Sequence, residues 1–298
     1  MKRIAVLMGG TSSEREVSLR SSAAVVKGLE TAGYEVVPVT LERDALDALP
    51  RDVDAVFIAL HGGYGENGGV QADLDALGLP YTGPGATSSR ITMDKIATKR
   101  ILDDAGVGTA PYEVLEAGME TTSLPLPVVV KPPRDGSSVG VSKVTEPGEW
   151  AAALALARKA DPKGEVLVEQ YIPGREWTVG VIDGEALPVI EIRAANGWYG
   201  FAEKYTAGTT QYVFPEAAED QPLLARCQAE AVAAFRAVGG RGMSRVDFRV
   251  SPEGVPYVLE INTIPGFTAT SLLPKAAAKA GMDFSQLCAR LIELAACR

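Results

Sequence analysis

The stretch Ser244-Arg245-Val246-Asp247-Phe248-Arg249-Val250-Ser251 is followed, after Pro252-Glu253-Gly254, by Val255-Pro256-Tyr257-Val258-Leu259-Glu260-Ile261-Asn262. Both halves alternate apolar and polar residues, the period of a half-buried strand. Val246, Phe248 and Val250 share one face of the first half, and Arg245, Asp247 and Arg249 the other. In the second half Tyr257, Leu259 and Ile261 alternate with Val258, Glu260 and Asn262. A turn over residues 252–255 joins the two as an antiparallel hairpin. It pairs Ser251 with Pro256, and counting back sets Asp247 opposite Glu260 and Arg245 opposite Asn262. Opposed residues share a face, with Cβ atoms roughly 4.5–5.5 Å apart. Arg245, Asp247, Glu260 and Asn262 are therefore expected to form one polar patch.

The solvated face of an antiparallel sheet is the ordinary setting for such a patch. Two details point to a ligand instead. Opposed carboxylates repel, and a bound cation removes the conflict. Asn262 also runs into Thr263-Ile264-Pro265-Gly266, a turn able to present backbone N–H groups. Oxygen donors from Asp, Glu and Asn suit magnesium carrying phosphates rather than zinc.

Upstream the pattern changes. Residues 4–8 are a short apolar run ending at Gly9-Gly10, the mark of a buried strand. Residues 17–32 have helical spacing and stop at Gly33; residues 34–39 and 54–60 read as strands, and residues 70–77 as a helix closed by Gly78. Strands alternating with helices imply a mostly parallel sheet with sites at the carboxyl ends of its strands. The glycine-rich loops at Gly9-Gly10 and His61-Gly62-Gly63 follow such ends.

Gly83-Pro84-Gly85 reads as a hinge. Beyond it come a helix over 93–105, a strand over 128–131, and a Gly/Ser loop over 132–140. A helix capped by Thr145 with Pro147 in its first turn follows, and then a strand over 166–171. Segments 177–182 and 186–192 form a hairpin across Asp183-Gly184. Residues 193–215 lack periodicity, and a structureless stretch of that length marks either a functional lid or a missed element. Asp220 can cap the Ala-rich helix after it, and a helical pair closes the chain. The expected fold class is α/β, with α+β character in the later part. The expected units are residues 1–85, 86–170 and 171–298.

Composition fits this plan. A chain of 298 residues exceeds one compact domain. A net charge of −9 argues against nucleic acid and anionic membrane as partners, yet leaves room for a locally cationic phosphate site. Three cysteines without metal-ligand spacing suit a reducing compartment. His61 is the sole histidine, which excludes a His-built zinc site. The apolar run near the N-terminus is too short for a signal-peptide core, and none approaches a membrane span, so a cytoplasmic enzyme is expected. There is no GxxxxGK[ST] sequence, and Gly9-Gly10 lacks GxGxxG spacing.

The motifs together carry a resemblance. Leu259-Glu260-Ile261-Asn262-Thr263-Ile264-Pro265-Gly266 resembles the metal-binding end of the ATP-grasp superfamily. Gly9-Gly10-Thr11-Ser12-Ser13-Glu14-Arg15-Glu16-Val17-Ser18 is similar to one family within it, the D-alanine–D-alanine ligases. So are Ala59-Leu60-His61-Gly62, Tyr81-Thr82-Gly83, Met93-Asp94-Lys95, Val130-Lys131-Pro132 with Gly136-Ser137-Ser138-Val139-Gly140, and Lys204-Tyr205. They stand in family order along almost the whole chain.

The resemblance implies an ATP-grasp fold of three units, with ATP gripped between the last two, and a homodimer. It implies two magnesium ions, or manganese in their place, on Asp247, Glu260 and Asn262, with Glu260 bridging. Lys95 and Lys131 match the phosphate lysines, and Lys131 also ends an apolar strand before a Gly/Ser loop. Glu169 and Glu176 match the residues at the adenine and the ribose, and Lys204 also matches an ATP-binding position. Gln170 stands where many relatives carry lysine, leaving the backbone of residues 170 to 172, Ile172 included, to read the adenine edge. Glu14 matches the group that binds the first D-alanine's ammonium, and His61 lies beside that substrate. Asn67 departs from an acidic position of many relatives. Ser137 and Tyr205 match partners that link to Glu14 and close the lid; relatives that make D-alanyl-D-lactate usually lack the tyrosine. Arg245 and the Gly266 N–H match the oxyanion donors, and Ser271 and Leu272 the cradle of the second carboxylate.

Overall fold

The computed structural model describes residues 1–136, 139–195 and 210–297. Its first sheet is parallel, in the order β2-β1-β3, from β1 (Arg3–Gly9), β2 (Glu35–Leu41) and β3 (Ala55–Ile58). Ile4, Ala5, Val6 and Leu7 are fully buried, because both faces of a parallel sheet are covered. Helix α1 (Arg15–Thr31) ends where Gly33 takes φ +86°, a conformation costly for any side chain. Two short helices, α2 (Gly63–Glu66) and α3 (Gly69–Leu77), follow the third strand, and Gly78 closes the latter as the sequence predicts.

The helix predicted over 93–105 is present as α5 (Lys95–Asp104), and a helix the sequence reading does not predict, α4 (Ala86–Met93), comes directly before it. Asp94 separates them: its backbone is extended, and its carboxylate accepts from the N–H groups of Ile96 and Ala97 at 3.0 and 3.1 Å.

The second sheet is antiparallel in the order β4-β7-β5-β6, built from β4 (Tyr112–Leu115), β5 (Val128–Lys131), β6 (Ser142–Val144) and β7 (Val166–Gln170). Helix α6 (Trp150–Ala160) covers one face. Thr145 does not cap it. A 3₁₀ turn at Pro147–Glu149 intervenes, and the Glu149 carboxylate accepts from the N–H groups of Thr145 and Glu146.

The third sheet is also antiparallel. Its path is β11-β10-β8-β12-β13, with β9 on β8: β8 (Arg175–Ile182), β9 (Glu185–Ala186), β10 (Ile190–Ala194), β11 (Thr210–Val213), β12 (Met243–Val250) and β13 (Pro256–Asn262). Asp183 and Gly184 both take positive φ, 54° and 78°, as a two-residue hairpin turn requires. Within the stretch read as aperiodic, Thr210–Val213 is a strand on β10, and residues 196–209 lie outside the described residues. Asp220 precedes helix α7 (Gln221–Ala237) without a side-chain cap bond; its carboxylate instead meets Arg175 at 2.6 and 3.0 Å. Helices α8 (Leu272–Lys279) and α9 (Phe284–Glu293) end the fold.

The β12–β13 hairpin pairs Arg245 with Asn262 and Asp247 with Glu260, as counted from sequence. The turn end differs. Val250, not Ser251, faces Pro256, and Ser251 N–H donates to Val255 O instead. A bulge between Asp247 and Phe248 on one side, at Leu259 on the other, restores the count. Its second effect is on faces: Val258 joins Val246, Phe248 and Ile261 in the core rather than sharing the face of Glu260. Leu259 turns toward the smaller cavity described below.

The last two helices do not rest on the third sheet alone. Phe267, Leu287, Cys288 and Leu291 pack with Ile4, Val6 and Phe57 of the first and with Val25 and Leu29 of α1. A Cβ on Gly28 would sit 2.9 Å from Cys288 Sγ, so the close approach of α1 to α9 needs glycine there. Each such buried side chain contributes about 1.5–3 kcal/mol. The segment after Asn262 is thereby fastened to the N-terminal sheet.

Candidate active site

Two cavities meet along one edge of the third sheet. The larger, 450 Å³, lies between the loops of the first sheet and the ends of β12 and β13; Glu14, His61, Arg245, Asn262, Gly266, Ser271 and Leu272 line it. The smaller, 110 Å³, lies between the second and third sheets, lined by Lys131, Glu169, Gln170, Ile172, Glu176 and Asp247. Lys95, Asp135 and Glu260 line both, so they form one continuous cleft.

The predicted patch sits at that seam. Arg245 grips Asp247 in a fork, Nε to Oδ1 at 2.8 Å and Nη2 to Oδ2 at 2.7 Å. Thr178 Oγ1 donates to the same Oδ1 at 2.6 Å. Glu260, a third exposed, has Lys95 Nζ 3.8 Å from Oε2. Lys95 Nζ also donates to Asp135 O at 2.8 Å. Asn262 Oδ1 is buried and, among the described residues, has no hydrogen-bond partner. Buried polar atoms are nearly always paired, so this acceptor marks a place for a ligand.

At the nucleotide-sized end the charges are already paired. Glu169, 2% exposed, lies between Lys131 on Oε2 and Lys99, 2.7 Å from Oε1. Burial pushes its carboxyl up, but the two ammonium groups prevail and hold it down at about 2. Burial lowers Lys99 against the pull of Glu169. Arg249 meets Glu176 at 3.3 Å and donates to the carbonyls of Ile172 and Gly174 at 3.1 and 3.0 Å, fixing the rim. The Gln170 amide is tied back to Pro125 O and Pro127 O at 3.1 and 2.8 Å.

At the wide end Glu14 occupies the N-cap position of α1 without making a cap bond, and lines the cavity. A Cβ on Gly62 would lie 2.8 Å from its Oε2. His61, 4% exposed, is held on both nitrogens: Nδ1 lies 3.1 Å from Ile264 O and Nε2 2.9 Å from Ser21 Oγ. Ile264 O can only accept, so Nδ1 carries a hydrogen, and in the neutral ring Nε2 accepts from Ser21. Ser21 Oγ also receives the Phe267 N–H at 3.2 Å. This relay pins the loop of Gly266 to the first sheet. Ser271 precedes α8, and its Oγ accepts from Thr268 N–H at 3.0 Å. Asn67 Oδ1 accepts from Gly69 N–H at 2.9 Å, a turn role without substrate.

Ser137, Lys204 and Tyr205 lie outside the described residues. Several neighbours of the site were missed from sequence: Lys99, Ser21, Glu66 and Thr178. Lys99 carries one signal, lying one helical turn after Lys95 on the same face. Glu66, 3.7 Å from His61 Nδ1, stands just beyond the His61-Gly62-Gly63 loop. Ser18, Ser21 and Ser22 fill buried positions of α1, where apolar residues are the norm. Thr178 offers no signal, being an ordinary strand residue.

A cleft between two antiparallel sheets, opening on a carboxylate patch, is the ATP-grasp arrangement. Family models agree. That described as D-ala D-ala ligase C-terminus matches residues 101–293, and that described as D-ala D-ala ligase N-terminus matches residues 3–46. A D-alanine–D-alanine ligase of Anaeromyxobacter dehalogenans is 45% identical, over 99% of this chain and 97% of its own. The crystal structure of that ligase from Bacillus anthracis superposes with a TM-score of 0.89 at 38% identity, covering 99% of this chain and 97% of that one. Its complex with ATP gives 0.86 at 36% identity, with the same coverage. The chain belongs to the D-alanine–D-alanine ligase family.

Proposed function

We propose that this chain joins two D-alanine molecules, converting ATP to ADP and phosphate through a D-alanyl phosphate, to supply a peptidoglycan precursor. The observation that carries the reading is the continuous cleft. A nucleotide in its narrow end would point its phosphates at Lys95 and Glu260, which also face the wide end.

Asp247, Glu260 and Asn262 are hard oxygen donors on one sheet face, and the orphaned Asn262 Oδ1 fits a cation. They would hold two magnesium ions, or manganese. Bound there, the ions would neutralise phosphate charge. The protein's own groups do the rest. Glu14 holds the ammonium of the first D-alanine, beside His61. Its carboxylate oxygen attacks the γ-phosphorus, and the bond to the ADP oxygen breaks. Lys95, Lys131 and Lys204 offset the charge of the nucleotide phosphates, and Gln170, Ile172 and Glu176 bound the nucleoside, with Glu169 beneath.

The amine of the second D-alanine then attacks the acyl carbon. Arg245 and the Gly266 N–H stabilise the oxyanion before phosphate leaves. Ser271 and Leu272, at the N-terminal end of α8, receive the second carboxylate, where the helix dipole favours an anion. Ser137 and Tyr205 link to Glu14 and close the lid, excluding water from the acyl phosphate. The working form is a cytoplasmic homodimer, built of the units 1–85, 86–170 and 171–298. Among the described residues no helix is long and apolar enough to cross a membrane.

The test is phosphate release from ATP with D-alanine as sole amino acid, then with D-serine or D-lactate competing. Release with D-alanine alone and a D-alanyl-D-alanine product supports the reading. Release only when a different acid or amine is added sinks it.

A further inference from the structure

Lys99 has no part in that mechanism, yet it is a lysine only 2% exposed. It lines neither cavity. Its Nζ reaches three acceptors: Thr109 Oγ1, Glu169 Oε1 at 2.7 Å and Ala110 O at 3.4 Å. Thr109 donates its own hydrogen to Val258 O at 3.1 Å, so it accepts from Lys99. A neutral amine has two N–H donors and an ammonium three. Two donors go to uncharged oxygens and Nζ stands in ion-pair contact with Glu169 Oε1, so Lys99 is a buried cation beside the carboxylate it compensates.

Lys131 is different. It lines the nucleotide-sized cavity, and Glu169 is its one ion-pair partner among the described residues. Glu169 divides its oxygens, Oε1 to Lys99 and Oε2 to Lys131. Stranding a buried charge is costly, so Lys131 can leave Glu169 only if another cation stays behind.

We propose that Lys99 is a positioning residue: it keeps Glu169 compensated and so lets Lys131 pass from Glu169 to a phosphate oxygen of the bound nucleotide. This rests on the reading of Lys131 as a phosphate lysine. Without Lys99, Lys131 is the sole counter-ion of a buried carboxylate and stays bound to it. Lys99 itself lines neither cavity, so its loss removes no direct contact to the nucleoside.

The test compares ADP with adenosine in equilibrium binding to the full chain, magnesium in excess. Lys131→Met measures what Lys131 gives the phosphates. Lys99→Met should weaken ADP relative to adenosine about tenfold or more, the worth of one charge-assisted bond. Lys131→Met added to Lys99→Met should cost little further, because the two act as a unit. Lys99→Arg, which keeps the charge, should recover part of the preference. Lys99→Met combined with Glu169→Gln should recover it too, since no carboxylate then holds Lys131; this pair also serves if Lys99→Met alone does not fold.

Equal weakening of ADP and adenosine by Lys99→Met, or full additivity with Lys131→Met, would make Lys99 a structural residue and overturn the proposal. Failure of the Glu169→Gln pair to recover the preference overturns it as well. If Lys131→Met leaves the ADP-to-adenosine ratio unchanged, the phosphate reading itself fails, and the proposal with it.

Discussion

The two ends of the cleft are prepared to different degrees. In the narrow end Glu169 sits between two lysines and Glu176 against Arg249. In the wide end Glu14, His61, Glu66 and Arg245 border 450 Å³, and Asn262 Oδ1 is orphaned. At the seam Arg245 pairs with Asp247 and Lys95 lies 3.8 Å from Glu260, while His61 is held by Ile264 and Ser21. The contrast separates two tasks. The narrow end has its carboxylates Glu169 and Glu176 already matched by cations, whereas the wide end keeps one buried acceptor, Asn262 Oδ1, without a hydrogen-bond partner among the described residues. Substitutions in the wide end should therefore strike chemistry, and those in the narrow end should strike binding or stability.

The largest effect is expected at the seam itself. Glu260→Gln should lower D-alanine-dependent phosphate release about a thousandfold or more while leaving the fold intact, since it removes a charge that phosphoryl transfer uses. Phosphate release and circular dichroism check it together; near-normal turnover would break the comparison. Arg245→Lys comes next. A point charge cannot copy the guanidinium fork on Asp247, so turnover should drop about a hundredfold with a small change in KM. An effect confined to KM would take Arg245 out of the oxyanion role.

Smaller effects sharpen the contrast. Tyr205→Phe should leave phosphate release nearly unchanged but raise the share not matched by dipeptide, because a looser lid admits water. Unchanged coupling would count against the lid. In the narrow end Glu169 carries a pH signature. Its folded pKa, about 2, lies below the ordinary glutamate value of 4.5. The stability it contributes is thus fully present above that ordinary value and is lost as pH falls toward 2. Denaturant midpoints at neutral pH and at about pH 3 should differ less for Glu169→Gln than for the parent chain. An identical difference would mean that the lysines do not hold Glu169 as described.

What sequence could reveal follows the same division. Alternation along residues 244–262 placed Asp247 opposite Glu260, because strand period and turn position are local properties. It did not reveal the bulge at Leu259, and the pairing survived only because the turn is also shifted by one residue. Val258 was assigned to the polar face for that reason. Caps read from residue type alone failed at Thr145 and Asp220, where Glu149 and Arg175 compete for the same groups. Glycines at 33, 78 and 184 were legible, since positive φ selects them. The narrow end was least legible. A buried Lys99 looks like any surface lysine until the fold sets Glu169 and Thr109 around it.

The central claim is that D-alanine is activated by phosphorylation in this cleft and then joined to a second D-alanine. Carboxylate-labelled D-alanine carrying heavy oxygen tests it most directly. The account predicts that one labelled oxygen passes from the first D-alanine to each phosphate released, with one D-alanyl-D-alanine formed per phosphate. Phosphate free of label, formed alongside the dipeptide, would contradict it.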